Sequence, residues 1–103
     1  MQSISPAELR DLIAAPDNNL QLIDVREPEE HQLFNIGGDL FPLPEIMEHV
    51  EQISRSRKVI FYCKMGIRSQ IAIQRLQDKY GFTNLVNLRG GMEAWKKMLE
   101  ARS

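Results

Sequence analysis

Cysteine is nearly absent from this sequence: Cys63 is the only one in 103 residues. One cysteine excludes an internal disulfide and any cysteine-based zinc cluster. The two histidines, His31 and His49, do not fall at a metal-ligand spacing, so no metal site is expected. No run approaches the ~20 consecutive apolar residues of a membrane-spanning helix. The N-terminal "MQSISPAELRDLI" lacks the basic start and apolar core of a signal peptide. The expectation is a cytoplasmic protein with no membrane partner, in a compartment where a lone thiol stays reduced. An excess of one charge is lacking too. Thirteen Lys and Arg against 14 Asp and Glu leave a formal charge of −1. That balance argues against a broad basic surface and against nucleic acid as a partner. Internal repeats, low-complexity segments and linkers are also missing. What remains is 43% apolar and 26% charged residues, which suits one compact domain over residues 1–103 whose core needs no staple.

The chain alternates between helix and strand patterns. "SPAE" (5–8) reads as a capping box with Pro6 at the first helical position, opening a helix that runs to about Ala15. "LQLIDV" (20–25) is short, apolar and bounded by turn residues, as a strand should be. "EPEEHQLF" predicts a short helix, and its carboxylates read as a solvated helix start. The prolines around Leu40 suggest a brief strand at a sheet edge. "PEIMEHVEQI" spaces Ile46, Met47, Val50 and Ile53 on one helical face. "KVIFYC" (58–63) is nearly continuous in apolar residues, the mark of a central strand buried on both faces. The next helix is expected from about Ser69, with Ile71, Ala72, Leu76 and Tyr80 inward and Gly81 as its stop. "TNLVNL" is a strand, and a last helix should bury Met92, Trp95, Met98 and Leu99. This alternation predicts an α/β fold with a mostly parallel sheet and helices on both faces.

Cys63 stands at the carboxyl end of the central strand, where open α/β sheets place their sites. The chain must curl through Lys64, Met65, Gly66, Ile67 and Arg68 before the helix begins, and Gly66 permits the tight geometry. Such a loop can turn several backbone N–H groups toward one point, and the helix N-terminus adds partial positive charge. A sulfur anion would be favoured there, so Cys63 is a candidate nucleophile rather than an inert core thiol. Lys64 and Arg68 add positive charge, and either could hold an anionic substrate. A cysteine phosphatase needs C-x5-R, whereas this loop is C-x4-R. The shorter ring suits a sulfur atom better than a tetrahedral phosphate, and the outer anion of a persulfide would lie where the amides converge.

Three motifs together, "DVRE" (24–27), "YCKMGIRS" (62–69) and "LRGGMEAW" (88–95), resemble the rhodanese domain over nearly the whole chain. The segment "NIGGDLFPLPEI" stands where many such domains carry "GHIPGA". With "YCKMGIRS" it resembles the rhodanese domains fused to E1-like adenylyltransferases that activate sulfur-carrier proteins. The resemblance implies a five-stranded parallel sheet flanked by helices, and a sulfurtransferase of the thiosulfate:cyanide type that needs no cofactor. It implies ping-pong chemistry through a Cys63 persulfide, with residues 64–68 around the outer sulfur. The donor would be a small anion such as thiosulfate, or a persulfide-donor protein. A sulfur-carrier protein is the expected kind of macromolecular partner. The competing readings are a sulfur-relay or interaction module without free turnover and, behind it, a cysteine phosphatase or arsenate reductase. Asp24 and Arg26 are expected to support the site by tying neighbouring loops through an ion pair, and Ser69 to follow the loop at the helix start. Met65 and Ile67 are expected at the rim, Arg89 at a strand end, Trp95 in the core, and His31 and His49 on the surface.

Overall fold

Val59, Ile60, Phe61 and Tyr62 are each fully buried, so the strand that carries them needs cover on both faces. The chain supplies that cover in alternating order. The structure, a computed structural model, describes residues 1–101. Its elements are β1 (Gln2–Ile4), α1 (Pro6–Ala14), β2 (Leu20–Asp24), α2 (Pro28–Leu33), β3 (Asp39–Leu40), a 3₁₀ segment (Leu43–Gln52), β4 (Lys58–Tyr62), α3 (Ile67–Tyr80), β5 (Leu85–Leu88) and α4 (Gly91–Ala101). The strands form one sheet in the order β1-β5-β4-β2-β3, and every pairing is parallel. The α/β expectation holds, with β4 at the centre and β3 at an edge.

Two cores sandwich the sheet. Alternate residues of β4 divide between them, as a strand's period of two requires. Val59, Phe61 and Cys63 face α3 and the 3₁₀ segment, packing on Ala72, Ile73 and Leu76 of α3. Ile60 and Tyr62 face α1 and α4, with Leu9, Met92 and Trp95. The register sets Asp24 beside Tyr62 and Phe61 beside Asn87. Asp24, Cys63 and Asn87 therefore reach the same carboxyl edge of the sheet.

Several expectations need correction. In α3 the inward positions are Ser69, Ala72, Ile73 and Leu76, while Ile71 is 39% exposed. The helix starts two residues earlier than expected, which fixes the face by the spacing 69, 72, 73, 76. Leu99 of α4 is likewise exposed, and Met98 is only partly buried. The 43–52 segment forms 3₁₀ turns, with Glu45 N–H donating to the Pro42 carbonyl and Ile53 N–H to the Val50 carbonyl. A period of three aligns Leu43, Ile46 and His49. His49 is thus drawn inward and stacks on Phe41 with ring centroids 4.2 Å apart. β1 was not legible in its three residues, and its pairing with β5 is what makes it a strand. Among the described residues, no helix is long and apolar enough to cross a membrane.

The turn after β2 is held by a buried ion pair. Asp24 is fully buried and Arg26 is 4% exposed. The Asp24 carboxylate accepts from the Arg26 backbone N–H at 3.0 Å, and from Nε and Nη2 of the same residue, each at 2.9 Å. Arg26 also donates to the Phe34 carbonyl beyond α2. His31 is no surface bystander, because its Nδ1 lies 2.8 Å from Asp24 Oδ2. Burial and the Asp24 charge push the neighbouring Tyr62 phenol up to about 12, so it stays neutral and accepts from the Gly38 N–H. Replacing Asp24 with Asn keeps the volume but leaves Arg26 buried without a countercharge. The expected loss is about 3 kcal/mol, the order seen when one member of a buried pair is removed. A lower urea midpoint at unchanged slope would register it.

Candidate active site

The loop 63–68 joins β4 to α3 with one residue in the left-handed region, Gly66 at φ +92°. Gly66 stands at the N-cap of α3 and has no side chain to cap it. Cys63 takes over that task. Its Sγ accepts from the Gly66 N–H at 3.1 Å and from the Ser69 N–H, third in the helix, at 3.4 Å. An N-cap oxygen makes the same contact in ordinary helices. The sulfur therefore sits on the positive end of a 14-residue helix. Cys63 is 1% exposed, so this anion-favouring contact is shielded from water.

Ser69 is fully buried. Its hydroxyl donates to Asn87 Oδ1 and lies 3.4 Å from Cys63 Sγ. Asn87 Nδ2 in turn donates to the Gly66 carbonyl at 3.4 Å. One buried amide on β5 thus ties the loop glycine and the helix serine together. The expectation for Ser69 extends into direct contact with the sulfur, whereas Asn87 was missed. Its signal was present: a polar residue inside the buried strand "LVNL" must find partners.

The start of α4 holds the loop from behind. Met92 N–H donates to the Cys63 carbonyl at 2.9 Å, and Glu93 N–H to the Lys64 carbonyl at 3.0 Å. The approach is close enough that a Cβ on Gly91 would lie 2.4 Å from the Cys63 oxygen, and Gly91 has φ +59°. No other residue fits there without moving the loop.

Above the sulfur is a cavity of about 230 Å³ lined by Cys63, Lys64, Met65, Ile67 and Arg68. Met65 and Ile67 are 55% and 61% exposed and form its rim, as expected. Arg68 is not free. It donates to Glu30 through Nη1 at 2.8 Å and Nη2 at 2.9 Å. The Arg68 hydrogen bonds bring the Glu30 carboxyl down to about 2, and Glu30 raises Arg68 further in return. Glu30 belongs to the capping box of α2, where it accepts from the Glu27 N–H. The acidic helix start is therefore part of the site rather than simply solvated. Arg89 stands apart: it is exposed and donates to Ser3 Oγ. A larger cavity of about 390 Å³ lies by β1, lined in part by Gln2, Glu8 and Lys58. That hollow runs along the β1 edge of the sheet and shares no lining residue with the cavity at Cys63, so its volume does not mark the chemistry.

Two outcomes check this geometry. Asn87→Ala removes both ties of the loop, and leaving buried partners unpaired should cost about 1–3 kcal/mol. The rate of Cys63 alkylation should change with it, as read by mass against time. The folded Glu30 value lies below its ordinary one of 4.5. The stabilisation from its pair with Arg68 is therefore complete above that value and is lost as pH falls toward about 2. The pair is partly exposed, so the effect is small. Glu30→Gln should make the decline of melting temperature across that window shallower.

Comparison with known proteins places these features in context. The model of the rhodanese-like domain matches residues 5–98. The probable adenylyltransferase/sulfurtransferase MoeZ of Mycobacterium tuberculosis is 38% identical over 101 residues, covering 95% of this chain and 25% of that protein. The chain thus spans a quarter of that relative's length. The putative sulfurtransferase YtwF of Bacillus subtilis is 35% identical, with 93% of this chain and 91% of that protein covered. The crystal structure of a rhodanese-like domain protein from Staphylococcus aureus superimposes with a TM-score of 0.84 at 29% identity, covering 92% of this chain and 91% of that one.

Proposed function

Since the chain belongs to the rhodanese-like domain family, we propose that it is a sulfurtransferase that carries sulfur on Cys63 as a persulfide. The observation that carries this reading is the pair of N–H groups, from Gly66 and Ser69, donated to Cys63 Sγ at the start of α3. They are placed to stabilise negative charge on Sγ as it attacks a donor and when it leaves again.

With thiosulfate as donor, Cys63 Sγ attacks the outer sulfur and a new S–S bond forms. The S–S bond of thiosulfate breaks, and sulfite leaves with its electron pair. The outer sulfur of the persulfide carries the negative charge. It would lie in the small cavity bounded by Met65 and Ile67, where apolar side chains limit access by water. An acceptor, cyanide or a thiolate, attacks that outer sulfur and releases the Cys63 thiolate. Charge and atoms balance at each step with no cofactor. The Ser69 hydroxyl can rotate between Asn87 and Sγ. It is thus able to accept from the thiol or donate to the thiolate.

A donor or acceptor that is itself a protein is the finer form of the same reading. The relative that joins adenylyltransferase and sulfurtransferase in one chain and the exposed Met65 and Ile67 beside the sulfur both favour it. Intact-protein mass after incubation with thiosulfate tests the chemistry. The wild type should gain one sulfur atom, removable by dithiothreitol, and Cys63→Ser should gain none while unfolding at the same temperature. Sulfur transfer by Cys63→Ser at a rate near wild type would sink the proposal. No gain from thiosulfate, together with a gain from a thiol persulfide, would assign the donor to the second class.

A further inference from the structure

Resting on that sulfur-transfer reading, we infer that Glu30 is a specificity-determining residue. By holding Arg68 in a bidentate ion pair, it withholds the loop guanidinium from doubly charged inorganic donors and leaves the mouth suited to a thiol persulfide.

Arg68 lines the cavity above Cys63 together with Lys64, so it is one of two cations placed to meet a donor's anionic end. A dianion approaching a thiolate is the donor that most needs such help. One N–H on each Nη of the guanidinium is already engaged by Glu30, and the charge of the pair is neutralised. The carboxylate is held in place by the first turn of α2, through the Glu27 N–H. A ligand in solution must therefore displace an anion that is tethered at the mouth. Failing that, it meets a neutral pair in place of a free cation. The pair is partly open to solvent, with 32% of the Arg68 side chain and 29% of the Glu30 side chain exposed, so the competition takes place within reach of a donor. Glu30 stays ionised at neutral pH, because Arg68 holds its carboxyl at about 2. A thiol persulfide differs from thiosulfate in both respects. It carries at most one charge, on the sulfur being transferred, and its carbon chain can lie against Met65 and Ile67. Exposed Lys64 supplies a single positive charge at the same mouth.

Glu30→Gln tests the assignment. Glutamine keeps the length and can still accept from the Glu27 N–H, but it releases the charge of Arg68. The expected result is a rise in kcat/KM for thiosulfate of roughly three- to tenfold, carried in KM, as for removal of one partly screened charge. With a small-thiol persulfide as donor, the rise in kcat/KM should be smaller, at most about threefold, because a single charge gains roughly half of what a dianion gains from the same screened cation. A second readout needs no sulfur transfer. The ratio of Cys63 alkylation rates by iodoacetate and by neutral iodoacetamide should rise with the thiosulfate gain, and both should vanish in Glu30→Gln/Arg68→Gln. Glu30→Ala, which also frees Arg68, should repeat the shift and guards against a fold defect peculiar to glutamine. A chain that moves sulfur while its alkylation ratio and thiosulfate KM stay unmoved in folded Glu30→Gln overturns the assignment alone. So does an equal gain in the double variant. A chain that moves sulfur from neither donor overturns the sulfurtransferase reading and the donor assignment with it.

Discussion

Two hydrogen bonds that never touch the sulfur hold the site together. The Met92 and Glu93 amides, at the start of α4, bind the Cys63 and Lys64 carbonyls. They fix the direction in which the chain leaves β4. With those carbonyls turned back toward α4, the Gly66 amide of the loop faces the other way and meets Sγ together with the Ser69 amide of α3. The first turn of one helix thus spends its free N–H groups on the loop backbone, and the first turn of another, α3, spends one on the side chain. Both uses follow from the same fact, that helix N-termini carry donors with no partner inside the helix. The glycine pair before Met92 is required because the two backbones approach to a distance that excludes a Cβ at Gly91. The "LRGG" stretch, 25 residues from the cysteine by the numbering of Leu88 and Cys63, is thus as much a part of the nucleophile's setting as the loop itself.

A second layer of support comes from the end of β2 and the start of α2. Asp24 and Arg26 close the end of β2, and Arg26 reaches the Phe34 carbonyl. This positions α2 beside the loop, and with it the Glu30 carboxylate that meets Arg68. The buried pair is costly to form, and its value lies in fixing one arrangement of α2, because breaking it would strand a charge. His31 adds a further contact to the same carboxylate. What reads along the sequence as three unrelated features, "DVRE", a proline-led acidic turn and an arginine, is one connected set of charges in space.

The parts legible in the sequence were those with a local cause. Ser5 and Glu8 form the capping box that their spacing predicts, and the apolar run of β4 occupies the centre of the sheet. Cys63, Gly66 and Ser69 come together because a tight loop keeps sequence neighbours near in space. The contacts missed were those between positions far apart along the chain. Glu30 and Arg68 are 38 positions apart, Ser69 and Asn87 are 18 apart, and β1 pairs with residues near the other end of the chain. Periodicity also misled where its phase or period was assumed. A helix beginning at Ile67 turns Ile73 inward and Ile71 outward, and a 3₁₀ period brings His49 onto Phe41. Apolar spacing gives the kind of element, whereas the starting residue decides its face.

The length of the loop and the charge around it point the same way. A cysteine phosphatase must enclose a tetrahedral dianion and clamp it with an arginine. In this loop the arginine comes one residue early and falls in the first turn of α3, two residues into the helix. From there its side chain meets the first turn of α2, where Glu30 takes one N–H from each Nη and neutralises the charge. The space left above the sulfur is bordered by Met65 and Ile67, which offer a phosphate no hydrogen bonds. A phosphoryl group would meet a neutralised Arg68 and shed water against apolar side chains, with Lys64 left to offset its two charges. A single extra sulfur atom demands less, because it is polarisable, carries one charge and is held by the bond to Sγ itself. The ring size disfavours phosphate by shape, the Glu30–Arg68 pair disfavours it by charge, and the two arguments rest on different residues.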